Sequence, residues 1–315
     1  MELLDDRVDV VPPSVSVAAA IGVFDGVHLG HIAVLDQVRS TARRLDVASA
    51  VVTFDIHPAY VVRPENAPKL LTTLEQKLEL LEQQELDYAY VIHFDEARAN
   101  TRPDEFVEQV FHEALHARAI VVGSDFHFGK GRSGDVAELE RLGHEWGFAV
   151  QPIDLVRHDP SAPEPVSSTA IRRALAGGDV EGAAELLGRD YEVRGTVQRG
   201  DRRGHMIGFP TANIPVPKVM AWPADAVYAG WCTRADGTRY GCAINIGRRP
   251  TFYEHAEQSL LEAHLIDFDD DLYGEEVKVE FASFVRSEHK FAGIDELAAQ
   301  LAADVDLVRT RLGLR

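Results

Sequence analysis

At 315 residues, with 45% hydrophobic and 26% charged side chains, the chain has material for one large or two ordinary globular domains. A net charge of −19 disfavours nucleic acid and anionic membrane surfaces as partners, because both reward a basic face. Anionic small molecules stay open through a local positive site built from Lys, Arg, His, helix N-termini or Mg²⁺.

In chain order, Met1-Glu2-Leu3-Leu4-Asp5-Asp6 is acidic and lacks the basic and apolar regions of a signal peptide. No run is apolar for long enough to span a bilayer; with only two cysteines in the chain, a reducing cytoplasm is the expected location. Pro12-Pro13 stiffens an extended lead-in up to about Val15. Residues 15–23 read as a buried strand. A glycine-punctuated turn follows, Phe24-Asp25-Gly26-Val27-His28-Leu29-Gly30-His31, and then a helix to about Arg44 with Ile32, Leu35 and Val38 at helical spacing. A helix start of this kind presents backbone N–H groups and a partial positive charge, a ready phosphate site. Gly26 and Gly30 let the backbone approach a ligand, and His28 and His31 are placed to donate to phosphate oxygens. A lone His-x-x-His pair more often faces solvent, and without cysteines it makes a poor zinc site.

Residues 47–54 are a second apolar run, leading into Thr53-Phe54-Asp55-Ile56-His57-Pro58. Thr72-Thr73-Leu74-Glu75-Gln76 carries capping-box patterns, with Leu74, Leu78 and Leu81 on one helix face. A strand over 88–94, a helix from Pro103 carrying Phe106, Val110 and Ala114, a strand over 119–122, a helix over 133–146 and a strand over 148–155 complete the alternation. That pattern predicts a mainly parallel sheet covered on both faces, with ligands beyond the C-terminal strand ends. Asp55 and Gly123-Ser124-Asp125-Phe126-His127-Phe128-Gly129 fall at such ends. Aromatic rings beside glycines suit a flat ligand, although two Phe alone are more often core. Val166-Ser167-Ser168-Thr169-Ala170-Ile171-Arg172 places Ser168 and Thr169 at a helix start, with Arg172 one turn inside and able to reach a phosphate. Gly177-Gly178 stops that helix, and a second short one ends at Gly188, where a domain boundary is expected: 1–188 and 189–315.

Beyond Gly188 the period shortens. Strand-like runs fall at 191–198, 226–234, 239–246, 259–268 and 277–285, with Asp236-Gly237 as a hairpin signal. They predict a small antiparallel barrel or sandwich, closed by a helix over 294–312 carrying Leu297, Leu301, Val305, Val308 and Leu312. Cys232 and Cys242, the only cysteines, fall in neighbouring runs and form no disulfide framework. The stretch from Gly195 through Arg199-Gly200-Asp201-Arg202-Arg203-Gly204-His205 to Gly208-Phe209-Pro210-Thr211-Ala212-Asn213 is glycine-rich and basic, able to wrap a diphosphate at Gly204. It is no Walker loop, because the Gly-Lys-Ser/Thr ending is missing. Thr211 and Asn213 alternate onto one side and supply oxygens that suit Mg²⁺.

The turn Phe-Asp-Gly-Val-His-Leu-Gly-His resembles the His-x-Gly-His signature of nucleotidyltransferases, in the form found in bacterial bifunctional riboflavin kinase/FMN adenylyltransferases (FAD synthetases). The segments at Asp55, at Gly123 to Gly129 and at Ser167 to Arg172 are similar to further motifs of that family, in family order. So are Pro210-Thr211-Ala212-Asn213, the stretch from Asn245 to Phe252, Leu261-Glu262-Ala263-His264-Leu265 and Phe284-Val285-Arg286. The resemblance spans nearly the whole chain. It implies an N-terminal Rossmann-like adenylyltransferase domain and a C-terminal riboflavin-kinase barrel. ATP would be co-substrate for both, Mg²⁺ the cofactor, and riboflavin, FMN and FAD the substrates or products. By the same match Glu262 is the kinase's general base, His28 and His31 act at the adenylyl group, and Asp55, Asp125, Phe126, Phe128 and Arg286 belong to flavin sites. The sequence departs from the pattern at Val23 (usually Asn), Ile56 (Pro), His205 (Arg) and Ala226 (Gly). A monomer or weak homo-oligomer is expected. Two alternatives stay open on the sequence: a kinase whose first domain is weakened or adenylylates another substrate, and a flavin-binding regulator with decayed sites.

Overall fold

A computed structural model describes residues 1–7, 14–154, 157, 164–200, 208–247, 260–289 and 291–314. Two compact units divide the chain, Met1–Ser168 and Thr169–Arg315.

In the first unit, strands β1 (Glu2–Asp5), β2 (Val17–Ile21), β3 (Ala48–Phe54), β4 (Tyr88–Ile92), β5 (Ala117–Gly123) and β6 (Ala149–Ile153) form one parallel sheet in the order β1-β4-β3-β2-β5-β6. The central strand β2 is buried along its whole length, as an uninterrupted apolar run requires when both faces are covered. Its residues alternate between two cores. Val17, Ala19 and Ile21 join Phe106, Phe111 and Leu139 on one side; Ala18 and Ala20 join Leu35, Val38 and Leu81 on the other. The principal helices are α1 (Leu29–Leu45), α3 (Leu74–Glu82) and α6 (Val136–Trp146). Short helices α2 (Ala59–Val62), α4 (Glu96–Ala99) and α5 (Pro103–Val107) lie between them, and α5 continues as a π-helical segment, Glu108–Ala114. One expectation needs correction: the start of the lead-in is not merely extended. Glu2–Asp5 is an edge strand paired with β4, because a parallel neighbour far along the chain supplies its hydrogen bonds.

The second unit opens with α7 (Ser168–Ala176, of which Ser168 still belongs to the first unit) and α8 (Val180–Leu187). These helices group with the barrel strands: the Gly178 backbone lies against the Tyr228 hydroxyl, and Glu181 accepts from the Phe284 N–H at 3.0 Å. Strands β7 (Tyr191–Thr196), β8 (Ala212–Pro215), β9 (Ala226–Thr233), β10 (Arg239–Gly247), β11 (Leu260–Leu265) and β12 (Glu276–Ser287) run antiparallel in the order β7-β12-β9-β10-β11-β8. The Gln198 N–H donates to the Asn213 carbonyl at 2.8 Å, bringing the two ends of the sheet together into a nearly closed barrel. The closing helix, Ile294–Leu312, packs Val305, Val308 and Leu312 against Ala229 and Ile266.

Candidate active sites

The first site grows out of the turn after β2. Phe24, Gly26 and Val27 all take positive φ (52°, 85° and 37°). For Phe24 and the β-branched Val27 this is strained backbone, and the surrounding bonds over-determine it. The Asp25 side chain is buried and its carboxylate accepts from the Leu71 N–H at 2.9 Å and the Thr72 N–H at 3.1 Å. The Thr72 hydroxyl accepts from the Gly26 N–H at 3.2 Å. The Ser168 hydroxyl donates to the Asp25 carbonyl at 2.8 Å. Gly26 therefore supplies the bend, and its N–H is engaged by Thr72, from a distant part of the chain.

His28 is the N-cap of α1. Its Nδ1 accepts the His31 N–H at 3.3 Å, which leaves Nε2 as the protonated, donating nitrogen. The His28 and His31 rings stack at 3.6 Å between centroids, and the Phe24 ring lies 5.0 Å from that of His31, tilted against it. The first turn of α1 carries no acidic residue, so the positive end of the helix is not neutralised locally. At Gly30 a β-carbon would meet the His28 ring at 3.1 Å and the Val166 carbonyl at 3.3 Å, so close packing favours glycine there.

Asp55, Asp125 and the turn lie at the C-terminal ends of β3, β5 and β2, as expected for an open parallel sheet. Asp55 is bonded to the neighbouring strand end: it accepts from the Phe94 N–H at 3.0 Å and meets His93 Nδ1 at 2.6 Å. Burial raises the cost of its charge, but the N–H groups of Phe94 and Ile56 and the His93 ring outweigh it and hold the carboxyl below its ordinary pKa. His93 is correspondingly raised by its bond to Asp55. Asp125 is exposed. Phe126 stacks on Phe128 at 5.5 Å, and Phe128 is buried beside Phe106 in the core. Ser168 opens α7, and Thr169 and Arg172 follow it in that helix.

Lys77, which belongs to none of the sequence motifs, is buried under the turn with its ammonium on the Val23 and Phe54 carbonyls. The signal was present: position 77 falls in the same helical stripe as Leu74 and Leu81.

In the second unit, register assembles the site. Glu262 on β11 stands opposite Asn213 of β8 on one side and Asn245 of β10 on the other. Directly paired residues share a face, so three polar side chains form a row across three strands. Asn213 is buried and Glu262 half-buried. A side chain at Gly200 would strike the Asn213 amide. A cavity of about 500 Å³ opens beside this row, lined by Thr211, Asn213, Leu265, Phe268, Leu272 and Tyr273 among others; Glu262 does not line it. Gly204 and His205, and the motif beyond Gly247, lie outside the described residues.

Arg286 makes a bidentate ion pair with Asp304 of the closing helix, Nε and Nη2 lying 2.9 and 2.7 Å from the carboxylate, and its guanidinium sits over Phe291. Its contacts tie β12 to that helix. Glu288, also unforeseen, is coupled to Asn245. Burial, with Asp225 and Glu262 nearby, raises its pKa, and its bond to Asn245 opposes that shift.

The donors fit a hard cation: the Thr211 hydroxyl and the Asn213 amide oxygen are both oxygen groups. Among the described residues no cluster of three His, Cys, Asp or Glu side chains could hold a metal alone. A Mg²⁺ ion there would lean on one or two protein oxygens and on its nucleotide.

A strained strand-to-helix turn on an open parallel sheet, in one chain with an antiparallel barrel that sets a carboxylate beside a Thr-x-Asn pair, points to a two-unit nucleotide-dependent transferase. The FAD synthetase family matches residues 13–170 and the riboflavin kinase family residues 187–312. The bifunctional riboflavin kinase/FMN adenylyltransferase of Haemophilus influenzae is 38% identical, over 93% of both chains. The Bacillus subtilis protein of the same name is also 38% identical, over 90% of this chain and 89% of its own. A solved Streptococcus pneumoniae structure, described as a macrolide-efflux protein, covers 98% of this chain and 99% of its own at a TM-score of 0.86 and 28% identity. Among the described residues no helix is long and apolar enough to cross a membrane. The chain belongs to the bifunctional riboflavin kinase/FMN adenylyltransferase family and carries both of its domains.

Proposed function

We propose that the C-terminal domain, from about residue 189, transfers the γ-phosphoryl group of ATP to riboflavin, giving FMN and ADP. The N-terminal domain, up to about residue 188, then joins FMN to the AMP part of ATP, giving FAD and pyrophosphate. The observation that carries the kinase half is the register that sets Glu262 against Asn213, beside a cavity of nucleotide size. In this reading the nucleotide occupies the cavity and the ribityl 5′-hydroxyl approaches from the Glu262 side. Glu262 takes the hydroxyl proton as the oxygen bonds to the γ-phosphorus and the bond to ADP breaks. Thr211 and Asn213 would hold Mg²⁺, which supplies charge neutralisation at the phosphates when bound.

In the adenylyl transfer the FMN phosphate is already anionic and needs no protein nucleophile. One of its oxygens attacks the α-phosphorus and pyrophosphate leaves. The His28 Nε2–H, His31 and the α1 N-terminus stabilise the charge that develops there. Ser168 fixes the turn through the Asp25 carbonyl. Asp55, Asp125, Phe126, Phe128 and Arg286 belong to the flavin sites in this reading, and Asp55, Phe128 and Arg286 also brace the elements around them. The chain works on small molecules in the cytoplasm, as a monomer or weak homo-oligomer.

Purified protein is incubated with riboflavin, ATP and Mg²⁺, and the flavins are separated over time. FMN appearing first and FAD after it is the expected result. FMN without FAD, even when FMN is supplied directly, would remove the adenylyltransferase half of the proposal.

A further inference from the structure

Lys77 is a charged side chain within an apolar helix face. It is 6% exposed, and its ammonium donates to the Phe54 carbonyl at 2.7 Å and the Val23 carbonyl at 3.3 Å. The Thr53 hydroxyl donates to the same Val23 carbonyl at 3.2 Å. These carbonyls lie at the ends of β2 and β3, central neighbours in the sheet, and they open the loops that carry His28 and Asp55. The charged groups facing the ammonium are both negative: Asp25 from the turn after β2, and Asp55 from the loop after β3. Asp55 in turn holds His93, from the end of β4.

Packing alone would select leucine or methionine at this position, because burying an ammonium is costly. Burial indeed outweighs the pull of the two carboxylates and brings the amine from 10.5 down to about 8. The charge lies beneath the segment whose backbone takes positive φ at Phe24, Gly26 and Val27, a conformation that needs to be held.

From this geometry we infer that Lys77 is a positioning residue for adenylyl transfer, tying the His28 turn to the loop after β3, and that its protonation sets the alkaline limit of that reaction. The inference rests on the adenylyltransferase reading of the first unit. Once the proton is lost, the neutral nitrogen binds the two carbonyls more weakly. Asp25 and Asp55 then lose the positive charge they face, at the end of the sheet where, in the adenylyltransferase reading, an anionic substrate arrives.

The test uses the full chain as wild type, Lys77→Met and Lys77→Arg. FMN adenylylation and riboflavin phosphorylation are both assayed from about pH 6 to about pH 10, and a melting temperature is taken for each variant. Wild-type adenylylation should fall above about pH 8, in line with the lowered amine. Lys77→Met should lose about 10- to 100-fold in kcat for adenylylation, with a smaller change in KM, and its residual rate should lack the alkaline fall. Phosphorylation should be unchanged. Its melting temperature should stay near wild type, because removing a buried charge offsets the donor lost to the Phe54 carbonyl. Lys77→Arg, which keeps its charge, should extend activity to higher pH.

The inference is overturned if Lys77→Met keeps the wild-type alkaline fall. It is overturned equally if both activities disappear together as the melting temperature drops. Should Lys77→Met fail to fold, a Lys77→Arg profile identical to wild type overturns it. Wild-type protein that makes no FAD from FMN at any pH would overturn the underlying reading instead.

Discussion

The first unit carries its candidate site on one short turn, whereas the second lines up Asn213, Glu262 and Asn245 across three strands. The turn is built from neighbours in sequence, and its strain is held by Asp25, Thr72 and Ser168. The strand row has little local strain; it depends on register, so a slip of one residue would turn Glu262 to the other face. In the proposed function the first arrangement supplies donors where charge develops, and the second sets a base opposite an oxygen ligand. Each suits its reaction, since adenylyl transfer from a phosphate nucleophile needs charge stabilisation and the kinase must remove a proton.

The largest effects should come from separating the two sites. His31→Ala should lower FAD formation from FMN by about 10²- to 10³-fold and leave FMN formation intact. Glu262→Ala should lower riboflavin phosphorylation by about 10²- to 10⁴-fold and spare adenylylation. Steady-state assays of each half-reaction check this, and a folded variant that loses both activities would break the division of labour.

A smaller effect concerns how the barrel is held. The Asp304 side chain is 3% exposed and meets Arg286 at 2.7 Å. Arg286→Ala leaves that carboxylate buried without the guanidinium, and should cost about 3 kcal/mol in chemical denaturation. Adenylylation assayed below the unfolding transition should not change. An unchanged denaturation midpoint would argue that Arg286 serves the flavin rather than the helix.

The smallest effect sharpens the comparison from the first unit. Asp55 is lowered and His93 raised by the bond between them. The Asp55 contribution is present above the unfolded carboxyl pKa and is lost as pH falls through the lowered value. The His93 contribution is present below the unfolded imidazole pKa and is lost as pH rises through the raised value. The pair is therefore strongest between about pH 4 and about pH 6.5. Asp55→Asn should bring the His93 titration, followed by NMR, down towards its ordinary value. An unmoved titration would sever the pair.

Much of this was legible in the sequence. The alternation of apolar runs with amphipathic helices announced the parallel sheet, and the shorter period after Gly188 announced the barrel. The edge strand Glu2–Asp5 was not legible, because four residues carry no period and their partner, β4, begins at Tyr88. Lys77 was hidden by its residue type, since a lysine on a helix is ordinarily solvated. Phe128 and Arg286 matched motifs, but only packing shows one in the core beside Phe106 and the other on Asp304.

By itself the sequence determined the turn and the helix after it, because glycine spacing and helical periodicity act over a few residues. It also determined the order of the two domains. Tertiary structure alone decided which carboxylate meets which amide across the barrel, and that a buried ammonium lies beneath the first site. Strand register and burial depend on contacts between segments far apart in the chain, which no local pattern encodes.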